Sequence, residues 1–349
     1  MLKMKKTAII LLAAMLLTAA TGCSSTTSST TAPATAADKK KEEALQTVKF
    51  SEVIRSVFYA PHYIAMEKGF FKEEGLNVDM NTAQGSDKGA AALIAGVADI
   101  SLVGPETAIY IYNQKGDKTL KIFHQLTMKD GSFLLSRNKV DNFKWSDLGG
   151  KSVIGWRPGS APQMVLNTKL TQEKVAQTDV VTNIASTAMA GAFTSGKGDY
   201  IQVFEPIASS LVKEGKAHYV ASVGQDFGAF PETSYVATSD YIKKNPAIIQ
   251  KFVNAVAKGR AWMQTASSDD IANALMPFFD GTPKDIIIQS VERYMKQDTW
   301  PAVPELNAQQ FDTLQKVLIE NGVLKPEQKV ADINAVVDMS FVKKIGKAE

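Results

Sequence analysis

From residue 48 onward, short β-rich runs alternate with helical runs, and this rhythm restricts the possible folds more than any other feature of the chain. Residues 48–53 alternate apolar and polar side chains as a strand does, and residues 61–68 read as a short helix stopped at Gly69. A second strand is expected over 76–80. Ser86 then stands where a helix over 88–95 needs a cap, and Pro105 follows the short strand 100–103 at a position that suits the first turn of another helix. The same rhythm restarts near residue 141. Strands are expected over 151–154, 179–182, 200–204 and 219–223, with helices opening at Ser160, Ser186 and Pro206. Such alternation implies parallel strands joined by crossover helices, an α/β architecture. Residues 233–238 are β-rich again, and helices are expected over 248–263, 268–278, 283–295 and 308–321. In open α/β sheets ligands bind beyond the carboxyl ends of the strands. The loops there hold Phe58, Tyr59, His62, Ser86, Glu106, Asp130, Trp156, Arg157, Ser160, Phe204 and Glu205, which form the candidate binding set.

The first residues carry a different message. Lys3, Lys5 and Lys6 precede an apolar run over residues 8–20, the pattern of a secretory signal and too short for a comfortable membrane span. The following Leu17-Thr18-Ala19-Ala20-Thr21-Gly22-Cys23 resembles a bacterial lipobox, with Ala20 where Leu is usual. Cleavage before Cys23, the only cysteine, would leave it as the acylated N-terminus. Residues 24–37 are almost entirely Ser, Thr, Ala and Pro, a composition that cannot bury a core and behaves as a tether. The expected organisation is therefore a lipoprotein signal peptide over 1–22, a flexible tether over 23–46 and a folded body. That body is expected on the extracytoplasmic face of the cell membrane, held by a lipid anchor.

Composition excludes several classes. The net charge of +3 is accounted for by the three lysines of the signal, so the chain from Cys23 is formally neutral. It lacks the basic patch of a nucleic-acid binder. One cysteine excludes an internal disulfide framework and a multi-cysteine metal site. His62, His124 and His218 lie far apart without metal-ligand spacing, and the chain has no Gly-x-Ser-x-Gly elbow, phosphate loop or dinucleotide fingerprint. No catalytic residue, metal or cofactor is expected. His124 reads as a core or edge residue of a strand and His218 as exposed. Trp262 and Trp300 read as packing residues of the tail.

A resemblance enters with the run from Phe58 through Ala60-Pro61-His62-Tyr63 and Lys68-Gly69-Phe70-Phe71 to Gly75-Leu76-Asn77-Val78. Together with Ala92-Leu93-Ile94-Ala95-Gly96-Val97-Ala98-Asp99-Ile100, Leu148-Gly149-Gly150-Lys151 and Asn245-Pro246, it resembles the nitrate/sulfonate/taurine and thiamine-pyrimidine-precursor group of ABC-transporter solute-binding proteins, over roughly residues 48–265. The resemblance implies a two-lobed periplasmic-binding-protein fold with two crossing segments and a helical C-terminal tail. Lobe 1 is expected over 47–138 and 238–349, lobe 2 over 139–237, with crossings near 137–143 and 230–238. It also implies a monomer that captures a small molecule between its lobes and delivers it to a membrane permease with its ATPase.

The strand-end residues bear on the ligand. Helix starts at Ser86 and Ser160, with Arg157 and Lys88, suit an anion such as nitrate, a sulfonate or taurine. Glu106 and Glu205, each beside a proline at a strand end, would repel an anion and accept from N–H groups. Phe58, Tyr59, His62, Trp156 and Phe204 offer faces for an aromatic ring. The sequence reading therefore favours a small nitrogen heteroaromatic, a pyrimidine or vitamin precursor, over a sulfonate. Acids also suit the first turn of a helix through its dipole alone. An enzyme of thiamine-pyrimidine synthesis type and an extracytoplasmic ligand sensor are the remaining alternatives. The secretion signal disfavours the first, and no signalling module supports the second.

Overall fold

The computed structural model describes residues 44–346; the signal peptide, Cys23 and most of the tether lie outside them. Strand β1 (Gln46–Glu52) runs into a short 3₁₀ turn whose start is capped by Ser56, its Oγ accepting from the Phe58 N–H at 3.2 Å. Pro61 sits in the first turn of α1 (Ala60–Glu67), where its missing N–H leaves no partner wanting. Then come α2 (Phe70–Glu73), β2 (Leu76–Thr82), α3 (Ser86–Ala95), which ends at left-handed Gly96, β3 (Ile100–Val103), α4 (Glu106–Asn113) and β4 (Leu120–Thr127). The second series is β5 (Ser132–Ser136), β6 (Ser152–Ile154), α5 (Ala161–Gln172), β7 (Asp179–Val181), α6 (Met189–Thr194), β8 (Tyr200–Phe204), α7 (Ile207–Lys213), β9 (His218–Ser222) and α8 (Val223–Phe227). Last come β10 (Thr233–Thr238), α9 (Ser239–Lys244), α10 (Pro246–Thr265), α11 (Ser268–Leu275), α12 (Lys284–Lys296) and α13 (Ala308–Glu320).

These strands form two five-stranded sheets of matching design, ordered β2-β1-β3-β10-β4 and β7-β6-β8-β5-β9. In each, three parallel strands are followed by one antiparallel strand that directly follows a passage of the chain between the sheets. Thus β5 pairs with β8 from Ser132↔Phe204 to Ser136↔Tyr200, and β10 pairs with β3 and β4. The chain therefore passes between sheets at 128–131 and again at 228–232. The expected crossings, 137–143 and 230–238, are displaced on both sides: β5 already belongs to the second sheet, and β10 to the first. Strand partners are set by pairings distant in sequence, which local patterning does not encode.

The first sheet buries β1 beneath α1, α2 and α10 through an aromatic cluster of Phe50, His62, Phe71, Tyr235 and Phe252. Helix α12 ties the tail to the second sheet. The Tyr294 hydroxyl donates to the Gly131 carbonyl at 2.9 Å and accepts from the Glu205 N–H at 3.1 Å. At the C-terminal end of α13, the Asn321 amide donates to Thr168 Oγ1 and to the Met164 carbonyl on α5. The tail thus touches elements of both sheets. No helix among the described residues is long and apolar enough to cross a membrane.

Candidate functional site

A cavity of about 420 Å³ lies where the carboxyl ends of the parallel strands of both sheets meet. From the first sheet it is walled by Val53 and Ile54 after β1, by Tyr59, by the Gln84–Gly85 turn and the start of α3, and by Gly104 after β3. From the second sheet come Trp156 and Arg157 after β6, the start of α5 at Ser160, the segment 184–187 after β7, Met189, and Phe204 at the end of β8. Glu232 and Thr233, entering β10, close the wall along the return crossover.

Of the candidate set, Tyr59, Ser86, Trp156, Arg157, Ser160 and Phe204 line this cavity. Trp156 meets Phe204 edge to face, with ring centroids 5.1 Å apart. Ser86 is the first residue of α3, and its Oγ accepts from the Gly104 N–H at 3.1 Å, so it staples the helix start to the β3 loop instead of capping the helix. Ser160 Oγ donates to the Arg157 carbonyl at 2.7 Å and likewise forms no cap. Arg157 pairs with Asp87 at 2.7 Å, joining the loop after β6 to α3. Tyr110 reinforces that junction by donating to the Gly159 carbonyl at 3.2 Å.

The remaining candidates lie elsewhere. Phe58 is buried behind Phe204, with centroids 5.3 Å apart, and acts as its backing. His62 is fully buried, stacked on Phe50 at 4.1 Å with Nδ1 facing the Tyr235 hydroxyl at 3.1 Å. Burial pushes its pKa down to about 3, with the Arg55 charge adding to the shift, so it is a neutral packing residue. His124 behaves alike in the core, while His218 is exposed. Asp130 stands in the first crossover, where its Oδ1 accepts from the Ser132 N–H at 2.8 Å and fixes the entry into β5. Burial raises it to about 6.

Glu205 points away from the cavity into a nest of donors. It accepts from the Ser209 N–H at 2.9 Å, the Ser209 hydroxyl at 3.0 Å, the Ser290 hydroxyl at 3.3 Å and the Tyr219 hydroxyl. The Arg293 guanidinium stands 3.1 Å away, out of line for a hydrogen bond. Burial raises this carboxyl while its partners pull it down. The Ser209 N–H and the Arg293 guanidinium, which can only donate, are the neighbours that favour its carboxylate form.

Glu106 folds back over Gly104, filling the place a side chain there would take, and borders a second, more open cavity of about 760 Å³ between α3, α4 and the 157–159 loop. Burial raises its carboxyl to about 7, opposed by its own N–H, the Arg157 charge and the N–H of Ala161 at the start of α5.

Glu232 is the acid the sequence reading missed. It is buried on the cavity wall with Oε2 lacking a hydrogen-bond partner, and burial, then the charges of Asp130 and Glu106, raise its carboxyl well above the ordinary value, which favours the protonated form. Its signal was in the sequence: Pro231-Glu232 repeats the pairing of an acid with a proline that singled out Glu106 and Glu205. Gln84, Ile184 and Met189 also line the cavity without any motif to mark them. Among the described residues no group of three His, Cys, Asp or Glu side chains is arranged to hold a metal ion.

Comparison with known proteins places this geometry. The family model described as NMT1/THI5 like matches residues 57–267. The Putative binding protein YtlA of Bacillus subtilis (strain 168) is 41% identical over 306 residues, covering 87% of this chain and 91% of that protein. Among solved structures, the alkanesulfonate-binding protein SsuA from Xanthomonas axonopodis pv. citri, bound to MOPS, superposes with a TM-score of 0.68 at 15% identity, covering 85% of this chain and 99% of that one. A conserved Candida albicans gene product, described as exhibiting the generic periplasmic binding protein structural fold, superposes with a TM-score of 0.63 at 15% identity, covering 84% and 97%. The fold is thus that of the periplasmic binding proteins, and the extent of both sequence matches means that this chain belongs to the NMT1/THI5-like family.

Proposed function

We propose that this chain is the extracytoplasmic solute-binding component of an ABC importer, a non-catalytic protein that captures a small nitrogen heteroaromatic between its two halves and presents it to a permease with its ATPase. One observation carries the ligand class: the chemistry of the cavity wall. Tyr59, Trp156 and Phe204 supply aromatic surface, Glu232 supplies a buried carboxyl whose raised pKa favours a proton it can donate to a ring nitrogen, and the Arg157 guanidinium is engaged by Asp87. The volume, about 420 Å³, suits a molecule of one or two rings. A ligand touching both halves binds the closed arrangement best and so draws the protein into it. Cys23 would carry the lipid that keeps a monomeric protein at the membrane surface, and several acyl chains would make that hold durable.

The second reading is an alkanesulfonate or nitrate. It is supported by the helix starts at Ser86 and Ser160 beside Arg157, and by the alkanesulfonate-binding protein among the structural relatives. A thermal-shift screen of the chain from Ser24 with pyrimidines, flavin precursors and alkanesulfonates separates the two. Stabilisation by heteroaromatics alone is expected; stabilisation by sulfonates alone would replace the first reading with the second.

A further inference from the structure

The ligand cavity and the outer cavity share three wall residues, Ser86, Asp87 and Arg157. The Asp87–Arg157 ion pair is therefore the partition between them. It is also a contact between the sheets, since Asp87 belongs to the first turn of α3 and Arg157 to the loop after β6. The backbone beneath is shaped for it. Gly85 has φ +155°, and a Cβ there would stand 2.5 Å from Asp87 Oδ1 and 3.5 Å from the Arg157 guanidinium. At that φ a side chain is strained, and its Cβ would press on the Asp87 carboxylate, so glycine suits the position.

The place this carboxylate occupies has the chemistry of an anion site. It lies at the N-terminal turn of a ten-residue helix, whose free N–H groups and dipole favour negative charge, and it faces a guanidinium. The other cation on the wall, Lys88, stands exposed. We propose that Asp87 is a specificity-determining residue of the cavity: its carboxylate fills the anion-binding corner from within and withholds Arg157 from a sulfonate or carboxylate ligand. Asp87 acts through Arg157 and is thus a positioning residue. The Arg157 side chain is 37% exposed and that of Asp87 66%, so the pair is screened and the exclusion weakens as salt rises. The inference rests on the solute-binding reading of the cavity, and it assigns the exclusion of anionic ligands to one residue.

The experiment is isothermal titration of wild type, Asp87→Asn, Asp87→Glu and the double variant Asp87→Asn/Arg157→Gln with ethanesulfonate, and separately with hydroxymethylpyrimidine, at low ionic strength. Asp87→Asn is expected to gain at least about tenfold in ethanesulfonate affinity over wild type, the scale of one charge-assisted contact. Asp87→Glu should restore exclusion, and the double variant should lose the gain. A merely structural role for Asp87 would move none of these in that pattern. Asp87→Ser serves as a second variant, with thermal melting to verify folding. Absence of a gain in both Asp87→Asn and Asp87→Ser, or a gain that survives Arg157→Gln, overturns the inference. Wild-type binding of hydroxymethylpyrimidine judges the ligand reading separately, because it does not depend on freeing Arg157.

Discussion

Replacing Glu205 by glutamine should destabilise the fold and leave ligand affinity untouched. The carboxylate joins β8 to α7, β9 and α12 through Ser209, Tyr219, Ser290 and Arg293. Glutamine keeps the shape and one acceptor oxygen, which can serve the Ser209 N–H and one hydroxyl. Its amide nitrogen then turns a donor toward a neighbour that also donates, and Arg293 loses its counter-charge. Two contacts to a charged acceptor, at about 1.5 kcal/mol each, put the loss near 3 kcal/mol. Arg293 is about one-third exposed and recovers part of its solvation, which keeps the figure at the lower end of the cost of breaking a buried pair. For a protein of this size the melting temperature should fall by roughly 4–5 °C. The assay is urea unfolding read by circular dichroism, with a lower midpoint at unchanged slope, paired with titration calorimetry of the variant. Tyr219→Phe, removing a single donor, should cost about 1 kcal/mol. A Glu205→Gln protein as stable as wild type would refute the reasoning, and a tenfold loss of affinity at full stability would return Glu205 to the ligand.

Two further outcomes follow from the same geometry. Because burial holds Glu106 at about 7 in the folded chain against an ordinary value of 4.5, the folded state keeps a proton that the unfolded state has released. Its contribution is therefore full in acid and is lost as pH rises through 7. Wild type should lose about 3 kcal/mol more than Glu106→Gln between about pH 4.5 and pH 8 in urea midpoints, and parallel profiles would contradict this. Gly224→Ala places a Cβ 2.0 Å from the Asp130 carbonyl oxygen in the first crossover, where backbone must yield. A loss of about 2 kcal/mol is expected in thermal melts, and an unchanged melting temperature would show that α8 and the first crossover are not in that contact.

The α/β rhythm was legible because strand and helix periods are local. The runs at 48–53, 76–80 and 200–204 overlap β1, β2 and β8, and Pro61 and Pro246 stand at helix starts where the missing N–H is harmless. Sheet membership was not legible: Ser132 and Phe204 are paired by the fold across a long stretch of sequence. At the cavity the same distinction operates. Strand ends gather loops, so Tyr59, Trp156, Arg157 and Phe204 stand out from sequence alone. Which neighbour faces inward does not. Side chains alternate along a strand, so with Phe204 on the cavity wall Glu205 is directed to the opposite side, into α7 and α12. In the turn before α1, Tyr59 reaches the cavity and Phe58 packs beneath Phe204. His62 looks functional beside them, yet α1 turns it onto Phe50 and into the core. Glu232 escaped notice because it lies in a crossover whose course depends on both sheets.

The affinity of the cavity for an aromatic nitrogen base is the most direct test of its function. Titration calorimetry of the chain from Ser24 with hydroxymethylpyrimidine, in wild type, Trp156→Ala and Glu232→Gln, measures it. Saturable one-to-one binding to wild type is expected, weakened at least about tenfold by Trp156→Ala through lost stacking and only slightly by Glu232→Gln, which keeps a hydrogen-bond donor in place. No heat with hydroxymethylpyrimidine, together with saturable binding of ethanesulfonate by wild type, would contradict it.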